Sequence, residues 1–157
     1  TQVPWILLVY RVPREPSAPR IAVWRRLRRV GVAQLCDGVV ALPEDARTRE
    51  QLELVADEVV EAGGTSTLWR AFTMSAADGR AIAKAMSAAR ADEYRLLIAA
   101  AAAAEETRPV QQRRVLKRLR RELRTVRRRD FFPPPEAEQA AAAVAALAST
   151  VHESVSS

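Results

Sequence analysis

One dipeptide does most to limit the folds open to this 157-residue chain: Asp37-Gly38, set between the β-prone runs 32–36 and 39–42. Glycine adopts positive φ at no steric cost and aspartate tolerates a tight turn, so this pair between two apolar runs predicts a hairpin. The flanking segments then fall into place around it. Residues 4–11, PWILLVYR, form a nearly continuous apolar run too short for a helix and rich in strand formers, which predicts a buried strand. The proline-punctuated VPREPSAPR that follows predicts a loop. Ser17 is placed to cap a helix with Pro19 in its first turn, Ile21, Trp24, Leu27 and Val30 as its apolar stripe, and Gly31 as its stop. After the hairpin, Thr48 and Gln51 stand at capping-box spacing. The helix they open turns Leu52, Val55, Val59 and Ala62 inward and ends at Gly63-Gly64. Residues 66–72, STLWRAF, alternate as a last strand, with Trp5 and Trp69 expected to pack within the sheet.

The order strand, helix, hairpin, helix, strand predicts an α+β fold: a ferredoxin-like split βαβ sandwich over residues 1–74. Residues 75–157 lack strand patterning and are rich in alanine. Ser75 and Asp78 suggest a helix start, and breaks at Pro109 and Pro133–Pro135 divide predicted helices near 76–88, 92–106, 109–129 and 135–153. The second part is expected to form a helical hairpin or small helical bundle, packed on the sandwich or on a partner subunit. No internal repeat is visible.

At 48% hydrophobic and 28% charged residues, the composition is that of a folded globular protein. The net charge of +6 favours anionic partners, and the distribution of cations is more telling than their sum. In RPVQQRRVLKRLRRELRTVRRR, residues 108–129, Glu122 is the only acid. Leu116, Leu119, Leu123 and Val126 follow the alternating spacing of a packing seam. At about 100° per residue, Arg114, Lys117, Arg121, Arg124 and Arg128 fall on the opposite side, flanked by Arg113, Arg120 and Arg127, with Arg118 beside them. Guanidinium groups engage phosphates bidentately and release counterions on binding, so a nucleic-acid backbone is one reading of this row. A solvated face balanced by acids such as Glu105 and Glu106, or a face for an acidic protein, are the others. No aromatic side chain interleaves with the row, which argues against a platform for stacked single strands. A second group, Arg11, Arg14, Arg20 and Arg25, with Arg26 nearby, surrounds the first loop. Beside a helix amino terminus it is placed to hold a small oxyanion, although surface decoration explains it as well.

Catalytic chemistry finds little support. His152 stands alone near the end of the chain, and Cys36, the only cysteine, has no visible base beside it. No phosphate-binding glycine loop, dinucleotide fingerprint or zinc-like cysteine cluster is present, so no cofactor, metal or catalytic residue is expected. A lone cysteine suits a reducing cytoplasm. The apolar runs fall far short of the ~20 residues that span a bilayer, and Thr1 reads as a boundary rather than a translation start.

WILLVYRVPREPSAPRIAVWRRLRRVG closely resembles the opening of ChrB proteins. The likeness continues through the hairpin with its trailing ALP, through RTREQLELVADEV and the tryptophan-bearing last strand, and into DEYRLLIAAAAA and RRRDFFPPP. More distantly the chain is similar to the middle domain of PaaX-type repressors and to ferredoxin-like CRISPR spacer-acquisition nucleases. The ChrB resemblance implies chromate-responsive transcriptional control, or another role in chromate resistance, in bacterial cytoplasm. The family's full-length members carry a second domain; if effector sensing resides there, residues 1–157 do not sense chromate alone. The nucleases carry an acidic metal ligand at the end of the first strand, where this chain has Tyr10-Arg11, so nuclease activity is not expected. Together these readings favour a non-enzymatic, homo-oligomeric regulator that contacts DNA, with an oxyanion (chromate)-binding or protein-interaction module without DNA binding as the alternative.

Overall fold

The computed structural model describes residues 3–157. In chain order the elements are β1 (Trp5–Arg11), α1 (Ser17–Val30), β2 (Ala33–Cys36), β3 (Val39–Pro43), α2 (Ala46–Glu61), β4 (Thr65–Ala71), α3 (Ala76–Ala104), α4 (Pro109–Arg128) and α5 (Glu136–Ser156). The four strands form one antiparallel sheet in the order β2-β3-β1-β4. This is the split βαβ order expected from the sequence, a ferredoxin-like sheet. The chain divides into two compact units, Thr1–Met86 and Ser87–Ser157.

In the sheet unit, register decides which side chains share a face. Ile6 lies opposite Leu42, and Leu8 opposite Val40 and Leu68. Ser66 is opposite Tyr10 on the same face, and its hydroxyl donates to the Ala56 carbonyl of α2 at 3.3 Å. That face is therefore the helix-covered one. Leu8, Val40 and Leu42 are buried there, with Leu52, Val55 and Val59 of α2. The β2–β3 turn places Gly38 at φ +80°, and a Cβ there would lie 2.7 Å from the Tyr10 carbonyl oxygen. The turn thus needs glycine both for its dihedral and for the close approach of β1.

Four local expectations are corrected. The α1 stripe is Val23 and Leu27 with half-buried Val30, while Ile21 and Trp24 are exposed, Trp24 at 47%. Steps of three residues drift about 60° each around a helix, so Ile21, Trp24, Leu27 and Val30 do not hold one face. The 4-3 spacing of Val23, Leu27 and Val30 does. Trp69 is 57% exposed on the other sheet face, opposite Leu7, with its indole N–H donating to Thr67 at 2.9 Å; Trp5 is buried as expected. Ser17 makes no side-chain cap, because Pro16 is the residue before the helix. On α2 the cap is Asp45, whose carboxylate accepts from the Thr48 amide at 2.8 Å while the Thr48 hydroxyl accepts from the Asp45 amide at 2.9 Å. Thr48 is thus the inner member of the capping box, and its hydroxyl also donates to the Pro43 carbonyl at 2.7 Å.

Beside that cap, Glu44 ties the edge strand to α2. Its carboxylate, 7% exposed, accepts from Arg70 of β4 and from Arg49 of α2, the latter at 2.9 Å. The Arg70 hydrogen bonds lead in holding its pKa down to about 2, from an ordinary value of 4.5. A depressed carboxylate pKa stabilises the fold fully above the unfolded value and ceases to do so as pH falls through the folded one. The stability gap between the wild type and Glu44→Gln should therefore be constant from pH 7 to 5, narrow below 4.5 and close near pH 2. Denaturant midpoints across that range read it, and a gap unchanged at pH 2 refutes the assignment.

The helical unit packs around α4. Its core joins Tyr94, Leu97, Ala101 and Ala104 of α3 with Leu116, Leu119, Leu123 and Val126 of α4 and Ala140, Val144 and Leu147 of α5. All three sets repeat at steps of three and four, so each helix contributes a seam. The Gln112 side chain near the start of α4 donates to the Glu105 carbonyl, whereas Tyr94 donates to Asp130 beyond its end; α3 and α4 are therefore antiparallel. The two helices expected at 76–88 and 92–106 are one, α3, because 88–92 (AARAD) contains no breaker and alanine-rich sequence favours continuation. Ser75 does accept from the Asp78 amide at 3.2 Å, as its spacing suggested. No described helix is long and apolar enough to cross a membrane.

Candidate nucleic-acid interface

The α4 helix begins with Pro109 at its first position and is held by its apolar edge, Leu116, Leu119, Leu123 and Val126, with buried Gln112 extending the same line. Burial of that edge fixes which way the rest points. Arg113, Arg114, Lys117, Arg118, Arg120, Arg121, Arg124, Arg127 and Arg128 are all exposed. Among the described residues, no ion pair is formed by Arg113, Arg114, Lys117, Arg118, Arg120, Arg121 or Arg124. Glu105 and Glu106 are also exposed and pair with none of them. The central row from Arg114 to Arg128 runs about 21 Å at 1.5 Å per residue.

The end of α4 is treated differently. Arg129 is largely covered, with a side chain 18% exposed, and pairs with Glu93 at 2.7 Å. Glu93 also meets Arg90 at 2.9 Å, and Arg90 reaches the Arg129 carbonyl at 3.5 Å. The Tyr94 hydroxyl donates to Asp130 at 2.7 Å. Burial, followed by the Asp130 hydrogen bond, raises the Tyr94 pKa, so the phenol remains a donor. Burial also lowers the Arg90 pKa, partly offset by Glu93. This network fastens the α4 terminus to α3, so the cationic face is presented by a helix clamped at its end. Phe131 and Phe132 are half-buried in the connection that follows.

In the sheet unit, Arg11, Arg20 and Arg25 line one open groove with Trp24 and Tyr10, whereas Arg14 lines a separate depression with Arg11 and Gly63-Gly64. The groove runs along the flank of α1 rather than at its amino terminus, where Pro19 supplies no N–H. Arg26 is not part of it, being paired with Glu58 of α2. Trp24, Gln34 and Asp37 were missed as lining residues. The 4-3 spacing of Val23, Leu27 and Val30 was the signal that Trp24 faces outward. Cys36 is exposed on β2, and His152 is exposed on α5.

The described residues thus form a split-βαβ sheet unit with an arginine-lined groove, followed in the chain by a helical unit with a one-sided cationic helix. Residues 20–108, more than half of the chain, match the family described as Protein ChrB, N-terminal, and the chain belongs to that family. Membership implies a chromate-resistance-associated regulator. The match ends at Arg108, so the exposed cations of α4 lie beyond it. No significant match came from the curated proteins or from the solved structures.

Proposed function

We propose that this protein is a non-enzymatic, cytoplasmic transcriptional regulator of bacterial chromate resistance that lays the outer face of α4 along the DNA backbone, acting as a homo-oligomer. One observation carries the reading: the exposed arginines of α4 form a continuous row on a helix whose opposite edge is buried, and intramolecular acids leave most of that row unpaired. Phosphates spaced along a duplex complement such a row, since each contact releases condensed counterions. The absence of aromatics from residues 108–129 favours duplex backbone over stacked single strand.

Salt dependence tests this. If Arg114, Lys117, Arg121, Arg124 and Arg128 each meet one phosphate, the logarithm of the binding constant should fall against the logarithm of salt with a slope of about −4 to −5 per protomer. Duplexes recovered from the native genome, titrated between low and physiological salt, provide the measurement. Failure to retain duplex at low salt, or a slope near zero, overturns the proposal.

A further inference from the structure

The groove on the sheet unit is more than a cluster of cations. It is an open groove of about 730 Å³, a volume comparable with small-molecule sites. Its cations, Arg11, Arg20 and Arg25, are exposed and form no ion pair among the described residues. Between them stand two large apolar side chains left in solvent, Ile21 and Trp24. The Trp24 ring is covered on one side by the Arg28 guanidinium, 4.9 Å from its centroid. That cation–π contact occupies one face of the indole, and Trp24 also lines the groove. The hairpin turn supplies Asp37, a carboxylate acceptor, and β2 supplies the Gln34 amide. Tyr10, whose pKa is raised by burial and then by Asp37, keeps its hydroxyl proton and can donate.

A bare oxyanion would use the arginines and leave the indole, the amide and the carboxylate without a role, and the carboxylate would repel it. A planar heterocycle bearing a phosphate would use them all. We propose that this groove binds a nucleoside phosphate, with its base stacked on Trp24, the base edge meeting Asp37 and Gln34, and its phosphate held by Arg20, Arg25 and Arg11. Stacking of a base on an aromatic ring and bidentate arginine–phosphate contacts are both established sources of affinity. The site lies in a different unit from α4 and does not depend on the DNA reading.

The test uses the whole chain, freed of nucleic acid, in calorimetric titrations with ATP, GTP, AMP, the corresponding nucleosides, inorganic phosphate and chromate. At least one nucleotide should bind saturably, at least tenfold tighter than its nucleoside and than inorganic phosphate or chromate. Trp24→Ala should weaken that nucleotide tenfold or more, and Trp24→Phe, which keeps a ring, by only a few-fold. Arg20→Ser with Arg25→Ser should cost tenfold or more for the nucleotide and little for the nucleoside. All these side chains are exposed, so circular dichroism should show the variants folded. Arg121→Glu with Arg124→Glu should leave nucleotide binding unchanged even where it abolishes DNA binding, which separates the two proposals. Absence of saturable nucleotide binding, indifference to Trp24→Ala, or chromate or phosphate binding as tightly as the nucleotide would each overturn the inference, the last leaving a plain oxyanion site.

Discussion

The double substitution Arg121→Glu with Arg124→Glu is expected to weaken duplex DNA binding about 100-fold or more at low salt and to flatten the salt dependence by about two units. Each lost phosphate contact removes about 0.9 from the slope, and a hydrogen bond to a charged group contributes about 1.5–3 kcal/mol. Both positions lie opposite the buried edge of α4, among exposed side chains. Their reversal therefore removes no packing. The introduced carboxylates would lie one turn from Lys117 and Arg128, where opposite charges at i,i+4 stabilise a helix by a few tenths of a kcal/mol. The variant should thus melt at or slightly above the wild-type temperature while losing affinity across many sequences. Electrophoretic or anisotropy titrations at two salt concentrations read the result. Unaltered affinity and slope would remove α4 from the interface.

The largest expected effect on stability comes from the other side of the same helix. Leu119 is fully buried among the seams of α3, α4 and α5. Leu119→Ala should cost about 2–5 kcal/mol, the transfer loss plus the cavity left behind. Collapse into the vacancy is restricted because the neighbouring seams already carry small residues at Ala101, Ala104 and Ala140. Leu96→Ala on exposed α3 surface is the control and should change stability by less than about 0.5 kcal/mol. Guanidinium unfolding followed by far-ultraviolet circular dichroism distinguishes them; equal midpoints for the two variants would contradict the packing described.

Much of this architecture was legible in the residues. Asp37-Gly38, the apolar runs on either side and the two amphipathic segments led to the strand order, because few connections satisfy them without crossing. The buried edge of α4 was equally readable, since Leu116, Leu119, Leu123 and Val126 alternate by three and four. What escaped was of two kinds. On α1, two apolar stripes compete, and arginines on both sides give no polar face to choose between them. Arg11, Arg20 and Arg25 of the groove were grouped from the sequence, but Trp24, Gln34 and Asp37 were not, because only the fold brings β1, α1, β2 and the β2–β3 turn together. On α3, a break was expected between 88 and 92 although AARAD holds neither proline nor glycine. Alanine-rich sequence carries the helix through, and the i,i+3 pairs Arg90–Glu93 and Arg95–Asp92 form along it.

The narrow greasy edge of α4 has an evolutionary corollary. Only Gln112, Leu116, Leu119, Leu123 and Val126 are buried on this helix, so most of its positions are released from any demand of the core. Arginines on the outer surface can be gained, lost or moved by single codon changes without jeopardising the fold. Grip on a polyanion can therefore drift by small steps, tuned to the salt and competitors of a particular cell, while the bundle beneath stays intact.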